Sequence, residues 1–334
     1  MRKSHDLEQR RLAEKILKAR AKFVLIQLPE GLKTYGPELA YSVENLGALA
    51  IVSADPCYGG CDLAISEAER LGADLLVHYG HTKMLEQKAF PTLYIEAKSR
   101  RPVKYAVTRA LRLLQKWRRI GLITTAQHIQ SLDEIRSLLV EKGKVVLIGD
   151  SGKLEHAGQV LGCDYSNALA ISEDVECFLF VGGGRFHALG VSLATAKPTV
   201  VADPYEKKAF SMLEEVRVLL KKRWASIYEA RKAEQIGVLI GLKTGQKRLD
   251  LAFRMKRMLE NAKKRVTLFA LREITPSTLM QFPTIHAFVN TACPRLSLDN
   301  AESFRKPLLT PNETLVALGK MSWEQLCQKG WFEN

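Results

Sequence analysis

The chain has 334 residues, 46% hydrophobic and 26% charged, and its 50 Lys and Arg against 36 Asp and Glu give a formal charge of +14. This is the make-up of an ordinary globular protein with room for two or three domains, not of a disordered or fibrous chain. No apolar stretch approaches the roughly 18–20 residues that cross a bilayer. The basic excess would suit a negatively charged partner. Its residues are scattered along helical segments, however, as in Arg109, Arg112, Lys116, Arg118 and Arg119, or Arg254, Lys256, Arg257, Lys263, Lys264 and Arg265. No nucleic-acid motif accompanies them, so they read as solvated helix faces, with no stable nucleic-acid binding and no membrane expected.

The N-terminal MRKSHDLEQRRLAEKILKARAK is charged, without the apolar core of a secretory signal, and a cytoplasmic location is expected. Leu7, Leu12, Ile16 and Leu17 fall on one helical face and predict a docking helix. Unalternating apolar runs then recur: FVLIQL from Phe23, ALAIVS from Ala48, LLVHY from Leu75 and TLYIEA from Thr92. Such runs suit parallel strands covered on both faces. A helical segment from Tyr35 to Leu46 separates the first two and stops near Gly47.

The same order of elements returns twice. IGLITT from Ile120, a helix over Leu132–Glu141, KVVLIG from Lys144, CFLFVGGG and PTVVADP make a second unit. IGVLIG from Ile236, a basic helix from Leu249 to Lys264, RVTLFA, HAFVNTACP and the PLLTP region make a third. Long helices around Tyr105–Trp117 and Met212–Arg231 read as connectors. In each unit the third strand runs into a polar or glycine-rich turn (YGHTK, GGGRFHALG, NTACPRLS), and a Pro-led fourth segment follows, at Pro91, Pro198 and Pro307. The fold class is therefore α/β: three similar Rossmann-like domains with parallel sheets, at 1–103, 104–205 and 206–334.

Three cysteines, Cys61, Cys163 and Cys293, fall one in each unit. Ligands of open parallel sheets collect beyond the carboxyl ends of the strands. Cys61 and Cys293 sit at that edge, whereas Cys163 lies in an apparent helix-to-loop passage, LEHAGQVLGCDYSNA. Cys177 in a strand and Cys327 on a C-terminal helix read as buried apolar residues. Several chemistries remain open at this level. Cys57 and Cys61 have the spacing of half a zinc knuckle, but no second pair completes it. A thiol nucleophile would need a base such as His81 or His187. Three thiolates around an iron–sulfur cube would leave one iron for a substrate.

The strings QLPEGL from Gln27, DPCYGGCD from Asp55, HYGHTK from His78, GGGRFHALG from Gly182, ADPY from Ala202 and NTACPRLSLDN from Asn290, with PLLTP after the last, narrow the choice. The sequence resembles the radical-generating subunit of diphthamide synthase over nearly its whole length, in the compact archaeal form. The resemblance implies a central [4Fe-4S] cluster held by Cys61, Cys163 and Cys293, with Cys57 a spare thiol. It implies transfer of a 3-amino-3-carboxypropyl group from S-adenosylmethionine to C2 of a histidine imidazole in elongation factor 2, by a radical, with release of 5′-methylthioadenosine. A homodimer and an electron donor are implied as well. Gln27, Glu30, His81, Arg185, His187 and Arg295 become candidates for positioning S-adenosylmethionine or the acceptor, the arginines through a two-pronged grip on a carboxylate. Gln246, in a GLKTGQKR string without P-loop spacing, is a further candidate. Gly60 stands where relatives often carry alanine or serine, and is expected only to loosen its loop. Asn312 stands where tyrosine is common. The alternatives are a quinolinate-synthase-like enzyme with the same three-domain, three-cysteine plan, and a non-catalytic accessory subunit.

Overall fold

The computed structural model describes residues 4–86, 90–299, 301–329 and 331–332. Its strands are β1 (Phe23–Gln27), β2 (Leu49–Val52), β3 (Leu75–Tyr79), β4 (Thr92–Ile95), β5 (Arg119–Thr124), β6 (Val145–Leu147), β7 (Cys177–Val181), β8 (Thr199–Asp203), β9 (Lys208–Ser211), β10 (Gln235–Gly241), β11 (Arg265–Leu271), β12 (Ala287–Asn290) and β13 (Leu308–Leu309). They form three sheets, ordered β2-β1-β3-β4, β6-β5-β7-β8-β9 and β11-β10-β12-β13. Second-first-third-fourth is thus the order in every unit. The unalternating runs owe their composition to burial on both faces, and every residue of β3, β7 and β8 is buried.

Register supplies a trace of the repeat that strand patterns alone do not. Gly121 of β5 pairs with Phe178 of β7, and Gly237 of β10 pairs with Phe288 of β12. A Cβ on Gly121 would lie 2.5 Å from the Phe178 ring, and one on Gly237 would lie 2.6 Å from the Phe288 ring. Two units therefore solve one packing problem identically, a large ring over a missing side chain. The first unit solves it differently, with Leu25 paired to Leu76.

Three expectations need correction. The middle sheet is not wholly parallel: β9 runs antiparallel to β8 and carries that sheet past residue 205 to Ser211. Leu17 is 59% exposed, whereas Leu7, Leu12 and Ile16 are buried. On the helix Gln9–Ala19 the positions 12 and 16 share a face, and residue 17 is turned about 100° from it. Cys163 follows no helix; the chain from Asp150 to Asp164 is irregular, anchored by a parallel bridge between Thr124 and Gln159, and the short helix Ser166–Leu169 comes after.

The second and third units share one apolar core, in which Phe178, Phe180 and Val191 join Val238, Val289 and Leu309. Helix Leu213–Arg231 bridges them. Its Arg223 is fully buried and meets Glu313 through two hydrogen bonds of 2.6 and 2.7 Å, with a third to Leu308 O at 2.8 Å. Glu313 also closes a capping box with Thr310 at the start of helix Pro311–Ala317. Breaking one side of such a pair costs about 3–5 kcal/mol, because the other charge stays buried. The ion pair thereby fixes the PLLTP segment.

Candidate functional site

Because β1 lies between β2 and β3, the chain leaves β1 and β3 in opposite directions, and a crevice opens between their carboxyl ends. The same crevice recurs between β5 and β7 and between β10 and β12. Residues from all three line one cavity of about 670 Å³: Pro29 and His81 from the first, Gln127 and Gly183 from the second, Gln246 and Cys293 from the third. This lies within the range of pockets that enclose small-molecule ligands, about 300–1,000 Å³. Cys61, Cys163 and Cys293 all line it, and all three also line a smaller cavity of about 240 Å³. The cysteines thus stand together at the boundary of the two spaces.

Their electrostatics agree. Burial pushes the Cys163 thiol up to about 12, with further contributions from Cys61 and Cys293, and burial followed by Cys61 raises Cys293. Burial also raises Cys61. Left alone, the three would stay protonated. A cation or an iron–sulfur cluster would stabilise them as thiolates, and three sulfurs with no fourth cysteine in the lining would suit a cluster with one iron left open. Cys177 is buried in β7, Cys327 lies on helix Trp323–Lys329, and neither lines these cavities. Cys57 is buried, pushed up to about 12 by burial and then Asp62, and its sulfur lies within 4.8 Å of nitrogens of His78 and His81.

The loop bearing Cys61 is clamped by the third unit. Gly245 N–H donates to Cys61 O at 2.7 Å, and Gln246 Nε2 donates to Cys61 Sγ at 3.5 Å. Lys243 Nζ reaches Asp62 at 2.9 Å and Glu273 at 2.8 Å, lying over the Tyr58 ring at 4.0 Å. Gln246 therefore touches a cysteine sulfur, a role its unremarkable string did not suggest. Cys293 is set by Asn290, which donates to Cys293 O at 2.6 Å and accepts from Ala292 N–H at 3.0 Å. Gly60 does more than loosen a loop, since a Cβ there would come within 2.9 Å of Thr82 O and 3.0 Å of Met84 Cβ. Asn312 lines the smaller cavity.

His81 and His187 line the larger cavity, and burial pushes them down to about 4 and about 3 respectively, so both are neutral near pH 7. Arg295 lines it too, but its fork is spent: Asp299 takes two hydrogen bonds of 2.7 and 2.6 Å, and Phe186 O accepts another at 2.6 Å. The R-x3-D spacing on one short helix was a signal for this. Arg185 is half exposed, pairs with Glu215 at 3.0 Å and lies outside the cavity lining. Glu30 is 59% exposed at its side chain, pairs with Lys33 and is likewise outside. Gln27 is buried behind the wall, bonded to Asp62 O, Ala64 N and His78. Sequence reasoning missed Arg101. It lines the cavity with its guanidinium 5.1 Å over the Tyr205 ring and pairs with no carboxylate among the described residues. Its place in a KSRR run resembled one more solvated basic stretch.

An α/β protein of three like sheets, with one cysteine from each unit at a shared cavity, is the class that fold and site define. Residues 28–327 match the family described as "Putative diphthamide synthesis protein", and the chain belongs to that family. It is 37% identical to 2-(3-amino-3-carboxypropyl)histidine synthase of Pyrococcus horikoshii over 94% of this chain and 91% of that one. It is 30% identical to subunit 1 of the corresponding synthase of Schizosaccharomyces pombe, over 92% of this chain and 72% of that one. The crystal structure of Dph2 from Pyrococcus horikoshii with a 4Fe-4S cluster superposes with a TM-score of 0.89 at 35% identity, covering 98% of this chain and 94% of that one. No helix among the described residues is long and apolar enough to cross a membrane.

Proposed function

We propose that this chain is a transferase of the first step of diphthamide formation, moving a 3-amino-3-carboxypropyl group from S-adenosylmethionine to C2 of a histidine imidazole in elongation factor 2. The observation that carries the reading is the meeting of Cys61, Cys163 and Cys293 at one 670 Å³ cavity. They would hold a [4Fe-4S] cluster, which when bound supplies a single electron for the sulfonium and one iron free of protein ligands. In the overall reaction the bond from sulfonium sulfur to the methionine γ-carbon breaks, 5′-methylthioadenosine leaves, and the 3-amino-3-carboxypropyl radical adds to imidazole C2. The ring regains aromaticity by losing the C2 proton and giving back one electron, so the transfer is redox-neutral. An imidazole carbon is a poor nucleophile at neutral pH, which is the physical reason for a radical route.

The protein's own share is placement and exclusion of water. Among the described residues no Asp or Glu lines the larger cavity, so the sulfonium meets neutral His81 and His187 instead of a competing carboxylate. Of the two arginines that line the larger cavity, Arg101 rather than Arg295 has its guanidinium clear of carboxylates among the described residues and would meet the amino-acid carboxylate. A protein substrate must insert its histidine side chain, and a homodimer served by a one-electron donor is the assembly we infer.

The test is anaerobic reconstitution with iron and sulfide, then dithionite and S-adenosylmethionine. Methylthioadenosine release and labelling of elongation factor 2 are expected, and 5′-deoxyadenosine as the main product would overturn the bond cleavage. Alanine at Cys61, Cys163 or Cys293 should cripple the cluster, whereas alanine at Cys57, Cys177 or Cys327 should leave its absorbance near normal.

A further inference from the structure

Gln27, His78 and His81 form a hydrogen-bonded line whose direction is set by main-chain groups. Gln27 Nε2 lies 2.7 Å from Asp62 O, which can only accept, and Gln27 Oε1 lies 3.1 Å from Ala64 N–H, which can only donate. The amide cannot be flipped without opposing two donors and two acceptors. His78 Nδ1, 2.8 Å from Gln27 Oε1, must therefore carry a proton. His78 is fully buried, and burial followed by His81 keeps it neutral. Its one proton is on Nδ1, so Nε2 is bare and must accept. The group 3.0 Å away is His81 Nδ1, which must then be the donor. Neutral His81 thus has its single proton on Nδ1 and a bare lone pair on Nε2. The Tyr79 main chain also hydrogen-bonds the His81 ring as an acceptor, which the proton on Nδ1 can serve, and His81 is a wall of the cavity that the three cysteines line.

We propose that His81 Nε2 is a fixed hydrogen-bond acceptor for an N–H donor carried by a substrate in this cavity, its orientation and tautomer imposed from behind by His78 and Gln27. The inference rests on the transferase reading above, which supplies two such donors: the α-ammonium of S-adenosylmethionine and the ring N–H of the acceptor imidazole. A metal ion between Cys57, His78 and His81 would need a His78 lone pair, and the one on Nε2 is already taken by His81 Nδ1–H. The anchor, Asp62 O, belongs to the residue after Cys61, so the acceptor and a cysteine at the cavity are held by one loop.

Two measurements test this. Nitrogen NMR of the histidine-labelled full chain, cluster-free, at pH 7 should show His78 and His81 protonated at Nδ1 and bare at Nε2; a proton on His81 Nε2 overturns the proposal. This readout does not depend on activity, so it stands apart from failure of the transferase reading, which absence of methylthioadenosine from the wild type would reveal. Then His81→Asn keeps an N–H toward His78 but has no acceptor where Nε2 stood, and His81→Gln restores an amide oxygen near that place. If the donor is the ammonium, Asn should raise the KM for S-adenosylmethionine about tenfold in acceptor-free cleavage, and Gln should recover part of it. If the donor is the acceptor imidazole, cleavage should persist while modified histidine per methylthioadenosine falls about tenfold, again partly restored by Gln. A His81→Asn variant with full iron content, unchanged KM and unchanged coupling would sink the idea.

Discussion

Gly245→Ala tests whether the third unit places the Cys61 loop. Gly245 has no left-handed backbone conformation to protect, so an added methyl acts through contact alone. Its Cβ would lie 2.7 Å from Cys61 Cβ, 2.8 Å from Cys61 Cα and 3.0 Å from Cys61 O. Carbon atoms rest about 3.5–4.0 Å apart, so the two loops must part by about 1 Å. None of the three atoms is the far end of a flexible side chain, so no rotamer relieves the clash. The 2.7 Å Gly245 N–Cys61 O bond and the 3.5 Å Gln246–Cys61 Sγ bond would both be stretched beyond useful length. Overpacking at about 1–3 kcal/mol and the loss of one good hydrogen bond at about 1 kcal/mol set the cost at about 2–4 kcal/mol. Iron and sulfide content after anaerobic reconstitution, with the denaturant midpoint of the cluster-free chain, measures both effects. Less than half the wild-type iron is expected. Gly59→Ala is the control, since its Cβ would meet Cys61 Sγ at an ordinary 3.5 Å. Wild-type iron content and midpoint in Gly245→Ala would refute the argument.

Arg223→Met should destabilise by about 3–5 kcal/mol in urea, since Glu313 is left buried and unpaired, and Arg223→Met with Glu313→Leu should recover much of it; equal loss in both would contradict that cause. Acid should weaken the cluster-free chain in the window where buried histidines resist protonation. His81 and His128 are pushed down to about 4 and His187 to about 3, against about 6.5 when unfolded. The unfolded chain therefore binds more protons below pH 6.5, and stability present above that pH is lost as it falls toward 4. Each histidine accounts for up to about 1.4 kcal/mol by pH 5.5, about 4 kcal/mol for the three, and a urea midpoint unchanged between pH 7 and 5.5 would rule this out. Arg101→Gln should raise the KM for S-adenosylmethionine about tenfold while preserving cluster absorbance; an unchanged KM would remove Arg101 from the binding role.

The repeating α/β order, most strand positions and the placing of Cys61, Cys163 and Cys293 one in each unit were legible in the chain itself. Burial on both faces forces continuous apolar runs, and helix Leu132–Glu141 lies where periodicity places it. The cysteines stood out because each is embedded in a distinctive string. Partnership between distant side chains was not legible. Gln27 bonds His78 across 51 residues, and Gln246 meets Cys61 across 185, because the second-first-third-fourth strand order brings separate strand ends to one crevice. Arg295 and Arg185 share the residue type of a carboxylate grip, yet local acids occupy them, while Arg101 in an ordinary basic run faces the cavity. Sequence determined most of the buried runs and repeating elements, since those depend on local periodicity, but not Leu17, the irregular chain before Cys163 or β9. Tertiary structure alone decided which hydrogen-bonding groups remain free at the site, because that depends on what every neighbouring loop has already satisfied.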